Sequence, residues 1–203
     1  IDAAPYVHTA YPPVYFAVVA GILKLTGLNY LPAKIVSFVS ALAIGLALGL
    51  LARRWQGRAI WGLWATGCLF LIPAFLYNAA RAHVQMLAVA LSLWSFVLFL
   101  RGGRFSTIAI AAVALLAVYT KQTQIALPLA MMVHLALRER RRLLPYCATL
   151  ALAGVIPFIW LQRATDGYFF HHIVTLNALS YHLVDLPLVL LHYAGPVFLF
   201  IGV

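Results

Sequence analysis

The chain has 203 residues, of which 65% are hydrophobic and only 9% are charged. Soluble domains are typically about half apolar and about one-quarter charged, so this composition excludes a soluble globular protein and a disordered one. The formal charge of +10 comes from 14 Lys and Arg against 4 Asp and Glu. In so apolar a chain, this excess indicates which loops face the cytoplasm and does not indicate a nucleic-acid partner.

The first predicted element is a helix from Pro12 to Gly27. It is shorter than the roughly 17–25 apolar residues that a membrane span needs, and it carries Lys24. We therefore expect residues 1–30 to be part of an external loop whose helix lies in the outer interface. A tilted true span is the alternative, and it would place residues 1–11 in the cytoplasm.

Residues 31–203 are predicted to form one all-α transmembrane bundle of about seven spans. The predicted spans are 31–52, 59–77, 82–100, 105–120, 125–137, 143–162 and 186–203, and a more polar stretch covers 163–185. The sequence begins without Met and ends within an apolar run. We therefore expect the bundle to be incomplete at both ends and the chain to be a fragment of a longer protein.

Nine of the fourteen basic residues fall in three clusters, at 53–58, 101–104 and 138–142, which occupy every second loop. The positive-inside rule assigns these clusters to the cytoplasm. The turns at 78–83 and 120–124 and the 163–185 loop are then external. The pattern predicts a multi-pass protein of the plasma (inner) membrane, with its active face external or periplasmic.

The remaining basic residues lie on the predicted external side, where acidic residues are few. Arg81 and Lys121 each follow a span in a tight turn, and cations at headgroup level suit a lipid phosphate. The hypothesis is an anion site at the outer leaflet. The alternative is that these side chains extend to the interface and bind no ligand.

Two histidines, His134 and His192, lie within apolar spans. An intramembrane histidine can ligate the metal of a haem or chlorophyll, or it can hydrogen-bond a neighbouring helix. Cys68 and Cys147 lie in apolar runs, where cysteine behaves as a small hydrophobic residue. No Cys/His spacing typical of a metal site is present in the sequence.

Three stretches of the chain carry a resemblance to a known family. Pro5-Tyr6 and Tyr11-Pro12-Pro13-Val14-Tyr15, with a helix that ends at Gly27, are similar to "P-Y…Y-P-P-L-Y…K-L-F-G" in the first external loop of polytopic glycosyltransferases of the GT-C superfamily. The segment 34–40 is similar to "A-R-L-L-S-A-L", and the segments 81–87 and 119–123 are similar to "R-x-D-M-L" and "T-K-Q-T". The closest resemblance is to glycosyltransferase family 39, which includes protein O-mannosyltransferase-like and aminoarabinose transferase-like proteins. Lys34 stands where those relatives have Arg, and Gln85 where they often have Asp.

The resemblance implies an inverting membrane glycosyltransferase that moves a sugar from a polyprenyl-phosphate donor to an acceptor at the external face. It requires no cofactor, although a divalent metal is compatible with it. It implies an acidic general base after the first span; Asp2 is the one acid before the Pro-Pro motif, and the main acid is expected upstream of residue 1. The residues implied to bind the donor and its phosphate are His8, Tyr11, Tyr15, Lys34, Arg81, His83, Lys121 and Gln122.

The scarcity of acidic residues supports a different class of function. The chain would then be a non-catalytic membrane scaffold with a GT-C-like fold, or a subunit of a larger cofactor or pigment complex. Coordination of a metal by His134 or His192 would distinguish this alternative from the enzyme.

Overall fold

The computed structural model describes residues 11–102 and 106–177. The helices are α1 (Val14–Thr26), α2 (Leu31–Gln56), α3 (Ala59–Phe70), α4 (Pro73–Ala79), α5 (Val84–Arg101), α6 (Thr107–Thr120), α7 (Ala126–Arg138), α8 (Arg140–Ala164) and α9 (Tyr168–Ile173). Two 3₁₀ helices, Gln122–Ile125 and Thr175–Asn177, follow α6 and α9. These ranges contain no strand, so the all-α prediction is confirmed for the described part of the chain.

The predicted count of seven spans is not confirmed. In the described residues, three helices are long and apolar enough to cross a membrane, α2, α5 and α8, and the α3–α4 pair would make a fourth if it is one broken span. The predicted spans 105–120 and 125–137 correspond to α6 and α7, which have 14 and 13 residues. At 1.5 Å per residue these reach only about 20 Å of a roughly 30 Å hydrocarbon core. The predicted span 186–203 lies outside the described residues.

The predicted span 59–77 is wrong as a single straight helix. Helices α3 and α4 meet at an angle of 78°. Ile72 is extended, with φ −77° and ψ 113°, because the ring of Pro73 disfavours the α conformation in the residue before it. Pro73 itself begins α4, where its missing N–H leaves no helical hydrogen bond unmade.

Two spans are longer than predicted because arginines extend them. Helix α2 continues past residue 52 through Arg53 and Arg54, and it ends at Gly57. Gly57 has φ 72°, and its N–H donates to the Arg53 carbonyl at 2.9 Å, a left-handed cap that glycine adopts without steric cost. Helix α8 begins at Arg140 and not at residue 143. Long arginine side chains can extend from such helix ends to the membrane interface.

Helices α2 and α3 pack closely through glycines. A Cβ atom on Gly62 would lie 2.6 Å from the Gly49 carbonyl oxygen, so neither helix could approach this closely with a larger residue at that point. Thr66 Oγ1 donates to the Gly45 carbonyl at 2.9 Å across the same contact. On its other side α2 meets α5, where Trp94 Nε1 donates to the Ala43 carbonyl at 3.1 Å.

The largest core cluster joins α5, α6, α7 and α8, and its buried members are Phe99, Ile110, Ala111, Ala114, Met131, Leu135 and Tyr146. Large apolar side chains also cover the outside of the bundle. Val39 on α2 is 56% exposed, and Leu152 on α8 is 63% exposed. An exposed apolar surface of this extent is typical of helices that face lipid, so the chain is a multi-pass membrane protein.

The bundle sorts its charges into two ends. Helices α2 and α5 run in the same direction, because Ser37 bonds His83 at their starts and Leu51 packs with Val97 near their ends. Arg142 joins this second end, where its Nε donates to Thr107 Oγ1 at 3.1 Å. We call this the basic end; its described arginines are Arg53, Arg54, Arg58, Arg101, Arg138, Arg140, Arg141 and Arg142. The face of the membrane to which it belongs stays a prediction.

Helix α1 confirms the helix predicted over Pro12–Gly27, with slightly narrower bounds. It packs against α2 and α6. Tyr11, just before it, lies beside Lys121, and its other end leads through Tyr30 to the start of α2. Both ends of α1 therefore lie at the end of the bundle opposite the basic end. This favours the interfacial placement over a true span.

Candidate functional site

The candidate site lies at this opposite end, which we call the site end. It is built on the turn between α4 and α5 and on the turn after α6. The first turn is tied to α2: the His83 backbone N–H donates to Ser37 Oγ at 2.9 Å, and Ser37 Oγ lies 3.4 Å from the His83 carbonyl oxygen, to which it donates. Ser37 is fully buried, so this double contact determines where α5 begins relative to α2.

His83 is also the N-cap of α5. Its Nδ1 accepts a hydrogen bond from the Gln85 N–H at 3.3 Å, which satisfies one of the free N–H groups of the first turn. Burial lowers the pKa of the imidazole, and the positive charges of Lys121 and then Arg81 lower it further. The structure therefore brings three of the predicted phosphate-binding residues into one electrostatic cluster.

Lys121 lies at the centre of this cluster. Its Nζ donates to Gln85 Oε1 at the start of α5, and it lies 5.6 Å from the centroid of the Tyr11 ring. Both contacts leave the ammonium group with its positive charge uncompensated. Burial lowers the pKa of the lysine, because the charged form loses hydration there.

Arg81 is the exposed member of the cluster. Its guanidinium carbon lies 4.0 Å from the centroid of the Tyr77 ring, a cation–π contact that orients the side chain without neutralising it. Tyr15 is the buried aromatic member. It is 5% exposed, and its hydroxyl lies beside the Ser37 side chain. Tyr11, Tyr15, Arg81, His83 and Lys121 thus lie at one end of the bundle, and their convergence on one external cavity stays a prediction.

Carboxylates do not offset these cations in the described part of the chain. Its acidic residues are Glu139 and Asp166, and the ion pair it contains joins Glu139 to Arg142 at the basic end, at 2.7 Å. A partly buried cluster of positive groups costs free energy unless an anion accompanies it. The arrangement therefore suits a bound anion such as a phosphate.

A cleft of about 530 Å³ opens next to Tyr11. Its lining includes Phe16 from α1, Asp166 from the turn before α9, and His172 from α9. Tyr11 also lies beside Lys121, so this tyrosine links the lining of the cleft to the cationic cluster. Asp166, with φ 49°, is its acidic lining residue.

An apolar groove of about 550 Å³ adjoins the cleft and runs between α6, α7 and α8. Phe169 and Ile173 line both cavities, so the two share a wall formed by α9. Gln122 lines the upper part of the groove, and its Nε2 donates to the Ile173 carbonyl at 3.1 Å. This contact ties the turn after α6 to the end of α9.

The other predicted site residues are not in the cluster. Lys34 is exposed in the first turn of α2, and its side chain makes no hydrogen bond or ion pair with the described residues. Asp2 and His8 lie outside the described residues, as does His192. The His134 ring packs edge-on against Phe99, with centroids 5.4 Å apart. Among the described residues, no three His, Cys, Asp or Glu side chains are grouped as a metal site would require.

Two residues of the site were not predicted as members. Gln85 accepts the Lys121 hydrogen bond, and Ser37 fastens the His83 turn. Their sequence signal was present: both fall in segments that resemble the GT-C proteins. Neither carries a charge, however, and a search for charged residues passes over them.

The family described as Glycosyltransferase family 87 matches residues 9–198 of the chain. No curated protein matches the chain. No solved structure matches it either.

Proposed function

The chain belongs to glycosyltransferase family 87, and from that premise we propose that it transfers a sugar from a polyprenyl-phosphate donor to an acceptor at the external face of the membrane. Glycosyl transfer follows from the family. We propose four things beyond this: a lipid-linked donor, a reaction at the external face, an inverting mechanism of the GT-C type, and a relationship to family 39.

The observation that carries the proposal is the cluster of Arg81, His83 and Lys121, which has no carboxylate partner among the described residues. A phosphodiester is an anion that three such groups can bind. The charge on its phosphate grows as the sugar leaves, so cations placed there stabilise the transition state more than the ground state.

The two cavities supply room for the rest of such a donor. The apolar groove, lined by residues such as Leu115, Met132 and Leu150, has the chemistry of an isoprenoid chain's environment. The polar cleft beside Tyr11 and Asp166 suits a sugar and an acceptor hydroxyl. The phosphate would then lie between them, against Lys121.

The proposed step is a single displacement. The acceptor hydroxyl oxygen attacks the anomeric carbon, and the bond from that carbon to the phosphate oxygen breaks. Polyprenyl phosphate leaves with the electron pair, and a carboxylate base takes the hydroxyl proton. Asp2 or an acid before residue 1 is the base that the resemblance implies, and neither lies in the described residues.

The test uses the protein in proteoliposomes with a panel of polyprenyl-phosphate-linked hexoses and, in parallel, the matching nucleotide sugars. We expect release of polyprenyl phosphate from at least one lipid-linked donor. Lys121→Gln should lower kcat/KM by roughly 10²-fold, the usual effect of removing one transition-state charge stabiliser, and Lys121→Arg should restore part of it.

Lys24→Gln is the matched control, since Lys24 is an exposed lysine of α1 that makes no side-chain hydrogen bond or ion pair with the described residues. Transfer from nucleotide sugars alone would contradict the proposed donor. Equal losses in the Lys24 and Lys121 variants would contradict the proposed phosphate site.

A non-catalytic scaffold is the second candidate function. It is favoured by one observation: Lys121 pairs with the amide of Gln85 and with no carboxylate of the described residues. A scaffold of this kind would bind polyprenyl phosphate through the same cations but would turn over none of the donors in the panel.

A further inference from the structure

A second basic cavity lies at the basic end, far from the candidate site. It has a volume of about 290 Å³ and opens between the final turns of α2 and α5. Its rim carries Arg53, Arg54 and Arg101, and its apolar lining consists of Leu50, Leu51, Val97 and Leu100. The cavity thus combines three guanidinium groups with an apolar floor.

The three arginines are not neutralised by the described residues. None of them makes an ion pair or a side-chain hydrogen bond there, whereas Arg142 at the same end pairs with Glu139 at 2.7 Å. Arginine in the last turn of a helix is stabilised by the helix dipole, which accounts for basic residues at these positions. The dipole does not account for a concave space that arginines from two different helices line.

The surroundings place this cavity where a membrane interface would lie. Trp55, next to the arginines, is 69% exposed, and tryptophan collects at the headgroup level of bilayers. Leu46, about one turn below Leu50 on α2, is 56% exposed, so an apolar surface continues from the cavity along the helix. A ligand here meets positive charge at one end and a lipid-facing surface at the other.

We propose that this cavity binds an anionic phospholipid, with the phosphate against Arg53, Arg54 and Arg101 and the first methylenes of the acyl chains against the leucines. Basic pockets between membrane helices bind anionic headgroups by this chemistry. Arginine suits the role because its planar fork binds phosphate oxygens in pairs. The proposal does not depend on the proposed glycosyl transfer, because the two sites lie at opposite ends of the bundle.

The experiment measures binding of a fluorescent phosphatidylglycerol to the purified chain in neutral detergent micelles, with phosphatidylcholine of the same acyl chains as competitor. The test variant is R53Q/R54Q/R101Q. The matched control is R138Q/R140Q/R141Q, which removes the same charge from the same end and leaves the Arg142–Glu139 pair intact. We expect at least a tenfold loss of affinity in the test variant, little change in the control, and no competition by phosphatidylcholine.

Three results would overturn the proposal. Equal losses in the two triple variants would show general surface attraction. Displacement of the lipid by millimolar inorganic phosphate would show a site for free phosphate. Full retention of binding in the test variant would exclude the cavity. If the triple variant does not elute as the wild type does in size exclusion, Arg54→Gln and Arg101→Gln singly should each weaken binding, and unchanged affinity in both would contradict the proposal.

Discussion

His83 is the group of the candidate site whose charge can change near neutral pH. Its pKa is lowered by burial first and by Lys121 and Arg81 second. The unliganded fold therefore binds a proton less readily than the unfolded chain, so acidification through this pKa costs stability. A bound phosphate should raise the pKa of His83, because the negative charge of the phosphate stabilises the imidazolium form. Phosphate binding and His83 protonation should therefore reinforce each other.

The variant His83→Asn separates the effect of protonating His83 from the effect of losing the N-cap of α5. Asparagine keeps a side-chain acceptor at the N-cap of α5, and it removes the ionisable ring. For the wild type, we expect the affinity for a polyprenyl phosphodiester to rise as the pH falls from about 7.5 to about 5.5, the range in which histidine titrates. For His83→Asn, we expect a nearly flat profile. The measurement is equilibrium binding of the labelled lipid in micelles across that pH range.

The control compares the helix content of the wild type and of His83→Asn by circular dichroism at the upper end of this pH range. Equal helix content shows that the variant has kept the N-cap of α5. A wild-type affinity that falls on acidification would contradict the coupling. An equally steep rise in both proteins would assign the pH dependence to another group.

At the level of single residues, the sequence predicted the charged residues and the tyrosines of the site, but it did not predict Ser37 or Gln85. Arg81 and Lys121 were identified because charges are expensive in a membrane chain and therefore conspicuous. Ser37 and Gln85 were not, because their roles depend on partners 46 and 36 positions away along the chain. Lys34 was included for its charge, and the structure leaves it exposed outside the cluster.

Among the elements, the α2–α3 contact depends most directly on residue size. Gly62 approaches the Gly49 backbone so closely that an added methyl group would overlap a carbonyl oxygen, and backbone atoms cannot move aside as a side-chain tip can. Gly67 lies in the same helix, and a methyl group added there would meet no neighbouring atom within 4 Å. The two glycines therefore have different structural roles in one helix.

We predict that Gly62→Ala lowers the thermal stability of the detergent-solubilised protein, by about 1–3 kcal/mol of unfolding free energy if the helices shift apart. Gly67→Ala should be neutral or slightly stabilising, because alanine has the higher helix propensity. Thermal unfolding followed by intrinsic fluorescence compares them. Equal melting temperatures for the two variants would mean that α2 and α3 do not pack as described.

The elements also show where hydropathy alone was insufficient. Apolar length predicted α2, α5 and α8, since a long apolar run has few alternatives to a helix in a bilayer. It merged α3 and α4 into one span, although Pro73 marked the break. A hydropathy profile averages over many residues, so it does not detect a break that depends on one residue. Here the ring of Pro73 alone interrupts the helix.

For the molecule as a whole, the arrangement predicts that the two ends are exposed on opposite sides of the membrane. Leu28, at the site end, is 97% exposed, and Gln56, at the basic end, is exposed as well. In a chain whose native cysteines Cys68 and Cys147 are replaced by alanine, we expect Leu28→Cys to react with a membrane-impermeant maleimide in intact cells. Gln56→Cys should react only after permeabilisation.

Labelling of both cysteines in intact cells would contradict the assignment of the ends to opposite faces. Labelling of Gln56→Cys alone would place the site end in the cytoplasm, and it would contradict the external reaction. Arg141→Cys, also at the basic end and exposed, should behave as Gln56→Cys does.

The composition and the positions of the basic residues along the chain were enough to establish a helical membrane protein with its basic clusters at one end. These properties are local: apolar runs become helices wherever water is absent, and arginines collect in alternate loops whatever the packing. The meeting of Tyr11, His83 and Lys121 and the arginine cavity between α2 and α5 required the tertiary structure. Each depends on how closely and in which direction distant helices pack, and that is decided by contacts such as Gly49 with Gly62 and Ser37 with His83.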